Sequence, residues 1–167
     1  MFVVQGTKKF RDRVPGESRT GSVVQSGTNM LGAWYATVLF WRPQVALFVN
    51  EPTRLPLFVP MAPGAIVIQR MTQIAAAVFT ALDLDEEFIS REVAEMGSHQ
   101  LMKTASRSVL GTMNDFAYLA GAQRVEKDLT DLVELSLQLA ETPCGPLYGS
   151  HVSPDREIIA YVAECAR

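Results

Sequence analysis

The segment "KTASRSVLGTMND", Lys103 to Asp115, brings together two cations, four hydroxyls, a glycine and an Asn-Asp pair within thirteen residues. If a helix starts inside it, its first free N–H groups and partial positive charge form a site suited to an anion. Lys103, Ser106, Arg107 and Ser108 would add donors for a phosphate or carboxylate. The simpler reading uses the same residues: Ser106 or Ser108 caps the helix, and Val109, Met113, Phe116 or Ala117, and Ala120 repeat on its buried side. The spacing is neither GxxxxGK[ST] nor GxSxG, so it is not a P-loop or a nucleophile elbow. Gly111 inside such a helix costs ~1 kcal/mol relative to Ala, which points to close approach by another backbone. Asn114 and Asp115 are expected to find partners and to anchor a neighbouring loop.

The other chemical candidates are sparser. His99 and His151 are the only histidines and lack carboxylate or cysteine neighbours at ligand spacing. Cys144, between Pro143 and Gly145, would need His151 brought close to act as a nucleophile; the favoured reading is a rigid turn after a helix that buries a small thiol. Asp85, Glu86 and Glu87 suit the positive end of a helix rather than a metal cluster. Asn50 to Arg54 reads as an exposed polar turn, from which Arg54 would reach a basic patch with Arg42. No catalytic residue, metal set or cofactor follows from this inventory.

The elements that must position these groups fit one domain over residues 1–167. With 48% hydrophobic and 20% charged residues, the balance is that of a folded chain. Its apolar runs "GAWYATVLFW" and "VALFV" fall short of the ~20 residues of a bilayer span, and its first residues lack the order of a secretory signal, so a cytoplasmic location and no membrane partner are expected. Cys144 and Cys165 are too few for a disulfide scaffold. The net charge of −3 is uneven: residues 1–60 hold seven Lys/Arg against three Asp/Glu, the rest eight against fifteen. Nucleic acid is therefore open only to a local basic patch.

Strands are expected near 2–5, 44–50, 55–60 and 98–103, with Pro56 placing the third at a sheet edge. Lys8, Lys9, Arg11 and Arg13 can form a brief basic helix after Thr7, and 15–29 reads as a flexible loop. "LGAWYATVLFW", Leu31 to Trp41, is read as a buried helix ended by Pro43. Amphipathic helices follow around 66–82 and after Asp85, then one at 106–121, one capped by Asp128, and one begun by Ser153-Pro154. The fold class is α+β, a small, mainly antiparallel sheet packed with about five helices.

"TKKF", "LGAWYATVLFWRPQVALFVNEPTRLP", "KTASRSVLGTMNDFAYLA" and "ELSLQLAETPCGPLY" together resemble an uncharacterised family of small bacterial proteins, a domain of unknown function. The Arg-Ser-Val-x-Gly-x-Met-Asn-Asp run is the most specific of these. In that family Asn often stands where this chain has Ser106, a nearly neutral exchange for a cap. The resemblance implies no activity, substrate or catalytic residue. The reading favoured is a non-enzymatic binding or protein-interaction domain, with a protein partner or a second copy as its occupant. The alternative is an enzyme or ligand-binding domain for a phosphorylated small molecule or nucleic acid, using the anion site at the start of the 106–121 helix.

Overall fold

The computed structural model describes residues 1–16, 26–127 and 131–167, without the side chains of 125–127. Among these residues five strands, β1 (Phe2–Gly6), β2 (Trp34–Leu39), β3 (Val45–Asn50), β4 (Pro56–Pro60) and β5 (His99–Lys103), form one sheet in the order β4-β3-β2-β1-β5. β1 pairs in parallel with β2 and β5, while β2–β3 and β3–β4 are antiparallel. The sheet is thus mixed rather than mainly antiparallel, within an α+β arrangement. Among the described residues six α-helices accompany it: α1 (Lys8–Arg11), α2 (Val67–Ala81), α3 (Glu86–Glu95), α4 (Arg107–Lys127), α5 (Leu132–Ala140) and α6 (Pro154–Cys165).

Side-chain alternation divides the core into two layers. Phe2, Val4, Trp34, Ala36, Val38, Ala46, Phe48, Leu57 and Val59 face a cluster with α1, α2, α3 and α6. Tyr35, Leu39, Val45, Leu47, Val49 and Phe58 face Val109, Met113, Phe116 and Ala120 of α4 and Leu135 and Leu139 of α5. β2 overturns the helix expected over Leu31 to Trp41. It lies in the middle of the sheet with every residue buried, so both faces demand apolar side chains and the period-two signal disappears from the sequence.

β4 is an edge strand, as Pro56 requires. The Phe58 N–H on its outer side donates to the buried Ser136 hydroxyl of α5 at 2.9 Å, and Ser136 donates in turn to the Leu132 carbonyl at 2.7 Å. An open ladder position is thereby closed by a helix. The stretch Gly64–Ala81 has the length and mean hydropathy, 1.2 over 18 residues, to cross a bilayer by composition alone. Here Val67, Met71, Ala75, Val78 and Phe79 are buried and the helix packs on β4, the behaviour of a core helix.

α1 follows Thr7 as expected, although the Thr7 hydroxyl does not cap it and instead donates to Thr37 Oγ1 at 3.1 Å. Asp85 caps α3 by accepting from Phe88 N at 3.0 Å. α5 is capped by Asp131, which accepts from Val133 N and Glu134 N; the expected cap Asp128 lies outside the described residues, as does the 17–25 part of the expected loop. Glu92 on α3 is fully buried. Its carboxylate accepts from Asn29 Nδ2 and Met30 N, both at 2.8 Å, and from Leu31 N at 3.2 Å. A buried carboxylate is tolerated only with donors of this kind, and these fix the approach to β2.

Candidate functional site

β5 delivers the chain to the start of α4, where Ser106 Oγ accepts from Val109 N at 3.3 Å and caps the helix. The Ser106 N–H donates to the buried Tyr35 hydroxyl of β2 at 2.9 Å. Ser108 Oγ accepts from Arg54 Nη2 at 3.1 Å. Two of the four expected anion ligands are therefore engaged within the protein, while Lys103 and Arg107 are exposed. Val109, Met113, Phe116 and Ala120 form the buried side of α4 as their spacing predicts.

Two expectations for this helix are overturned. Gly111 is exposed, and a Cβ there would meet nothing within 4 Å, so no second backbone approaches it. Asn114 and Asp115 are exposed as well, because their positions fall on the solvent side of the turn that buries Met113 and Phe116. They anchor no loop through a described hydrogen bond.

Arg54 is the member of this site that sequence reasoning misplaced. Its turn is folded inward rather than exposed: Asn50 and Thr53 are fully buried, and Asn50 Oδ1 accepts from Thr53 Oγ1 at 2.7 Å and Thr53 N at 3.2 Å. Asn50 Nδ2 donates to the Leu31 and Ala33 carbonyls. This network leaves Arg54 at φ 61°, half-buried and aimed at α4. Burial lowers its pKa, against the raising influence of Glu51, Cys144 and Tyr35, and its Nη1 is buried without a hydrogen-bond partner among the described residues. Arg42 lies at the other end of β3, so the two arginines form no common patch.

One turn further along α4, Thr112, Asp115 and Phe116 line a cavity of about 320 Å³ closed on the other side by Cys144 and rimmed by the exposed Tyr118 and Tyr148. Burial pushes the Cys144 thiol up to about 11, with Asp115 adding to the rise and Arg54 opposing it. Its Sγ contacts the Thr142 carbonyl at 3.5 Å. His151 is instead held by Glu157, Nδ1 to Oε2 at 3.0 Å. His99 lies edge-on to Phe2, and burial lowers its pKa. Among the described residues no group of three His, Cys, Asp or Glu is placed to hold a metal ion.

A second polar constellation sits at the opposite end of the sheet, on the turn between β2 and β3. Phe40 is 57% exposed, with Lys9 Nζ 5.3 Å and Arg13 Cζ 5.0 Å from its ring centroid. Its neighbour Trp41 stacks on Phe58 at 6.1 Å and carries the Arg124 guanidinium at 4.7 Å on its ring. Arg124 Nη2 also donates to the Arg42 carbonyl at 2.9 Å, which ties the end of α4 to the turn. Lys8 pairs with Asp12, the residue that follows α1, at 3.0 Å.

With both constellations placed, a family match covers nearly the whole sheet and its helices. The chain belongs to the DUF6933 family, a domain of unknown function, over residues 3–157. No curated protein and no solved structure matches it. The DUF6933 span includes α1, the Phe40 turn, Arg54 and the start of α4, so both constellations are parts of the family domain. The signal for the Phe40 end was present in the sequence as the adjacent "FWR" and the "KKFRDR" run, but only β1–α1–β2 folding brings them together.

Proposed function

We propose that this DUF6933 chain is a non-enzymatic, cytoplasmic binding domain that holds an anionic partner at the Phe40 end of its sheet. The observation that carries this reading is Phe40 itself, an exposed aromatic ring with Lys9 and Arg13 about it, in a chain whose net charge is −3. Lys9, Arg13, Arg42 and Arg124 make a local reversal of that charge, and such a patch steers a partner of opposite sign. The Cys144 thiol points the same way, because burial raises it away from the range of an activated nucleophile.

Heparin chromatography of the intact chain tests the reading. Wild type is expected to be retained at low salt despite its acidic isoelectric point, and a Lys9→Gln, Arg13→Gln, Arg42→Gln variant of unchanged thermal stability to elute earlier. Flow-through of the wild type would overturn it.

A second reading is favoured by the unpaired, buried Nη1 of Arg54. In it the start of α4 binds a phosphorylated ligand through Arg54 and Ser108, with Lys103 and Arg107 supplying outer charge. Asp115 repels an anion from the cavity one turn along, which limits such a ligand to the Arg54 side.

A further inference from the structure

We propose that the partner of the Phe40 end is single-stranded nucleic acid, a deeper reading that rests on the binding function proposed above. The two rings at the turn diverge: Phe40 lies beside α1, and Trp41 stacks on Phe58 beneath Arg124 of α4. A strand passing over this end meets the 57% exposed Phe40 ring with Lys9 and Arg13 over it, Arg42 at the turn and Arg124 beyond it. Alternating cations and aromatic surface are what a phosphate backbone with unpaired bases requires, since each base offers a π-face for stacking and each phosphate a charge.

The ring is what separates this partner from an acidic protein. Carboxylates would use the cations but leave Phe40 in water, whereas a base covers it. Base accessibility separates single strands from duplex. Paired bases hide their faces from Phe40, whereas unpaired bases offer theirs. Arg13 donates Nη1 to the Lys9 carbonyl at 2.8 Å, which holds its guanidinium 5.0 Å from the Phe40 ring centroid, so cation and aromatic ring are presented together.

Fluorescence anisotropy of the full chain with labelled oligothymidylate and oligouridylate of about 12 nucleotides, a matched duplex and a polyglutamate peptide tests the proposal. Both single strands are expected to bind more tightly than the duplex and the peptide, and the ratio of the DNA and RNA arms identifies the natural source. With about four phosphates neutralised, affinity should fall about fiftyfold between about 50 and about 200 mM salt. Phe40→Ala, a change at an exposed site, should weaken single-strand binding on the order of tenfold while leaving heparin retention in place, and Phe40→Tyr should restore it. Equal binding of duplex or polyglutamate, or an unaffected Phe40→Ala, would overturn the nucleic-acid partner and leave the anionic binding domain standing. Failure to bind any of these polyanions, heparin included, would overturn both.

Discussion

Arg54 Nη2 donates to Ser108 Oγ at 3.1 Å, joining the β3–β4 turn to the first turn of α4 across 54 positions of sequence. The same guanidinium keeps its Nη1 buried and unpaired. A charged donor without an acceptor is costly to bury, so the site is either maintained for stability by its neighbours or completed by an anion.

Arg54→Ala separates these roles. Loss of the hydrogen bond is expected to destabilise the chain by about 1–2 kcal/mol, read as a fall in thermal midpoint of about 2–8 °C. If the start of α4 binds phosphate, inorganic phosphate will raise the midpoint of the wild type but not of Arg54→Ala. Equal shifts in both would remove the second functional reading.

Glu92 offers a sharper stability test because three donors converge on it in the absence of solvent. Glu92→Ala leaves the Met30 and Leu31 N–H groups without their acceptor and Asn29 Nδ2 with the Gly32 carbonyl alone, and opens a cavity, so a loss of about 3–5 kcal/mol in urea unfolding is expected. Glu92→Gln preserves the volume and one acceptor oxygen but turns an amide donor towards donors, so it should fall between wild type and Ala.

The parts of this architecture visible in sequence are those where one residue controls one local choice. Pro56 marks the edge strand, Asp85 the start of α3, and the spacing of Val109, Met113 and Phe116 the buried side of α4. β2 was not visible, because Trp34 to Leu39 are buried on both faces and present no period. The site was only half legible for a related reason. Ser106 caps α4 through a contact three residues away, but Tyr35 and Arg54 act on partners 71 and 54 positions distant. A polar residue in a turn carries no local sign of being folded inward, so Arg54 reads as solvent-facing until the sheet places it.

Gly111 and Gly64 are predicted to respond in opposite directions to alanine. At Gly111, exposed in the second turn of α4, a Cβ meets open space and the helix gains about 1 kcal/mol from the better propensity of Ala. At Gly64 a Cβ would lie 2.0 Å from the Arg13 carbonyl oxygen, which forces backbone to move. Gly64→Ala should destabilise the chain and loosen the α1 end, lowering heparin retention together with the thermal midpoint; Gly111→Ala should raise the midpoint and leave retention alone.

Cys144 should impose an alkaline limit on stability. Folding raises its thiol from the usual 9.0 to about 11, so the folded state holds the proton more tightly than the unfolded chain does. Below the unfolded value both states are protonated and the full stability is present; as pH rises from 9.0 towards about 11 the unfolded chain ionises first, and stability is lost through that window. In a Cys165→Ser background, which removes the exposed second thiol, alkylation by iodoacetamide should be slow at neutral pH and accelerate towards about 11. Urea midpoints measured across the same range should fall for that background and flatten for the further Cys144→Ala variant. A Cys144 that alkylates rapidly at neutral pH would show the thiol to be ionised there, and would restore nucleophilic chemistry beside the cavity of Thr112, Asp115 and Phe116 as a serious alternative.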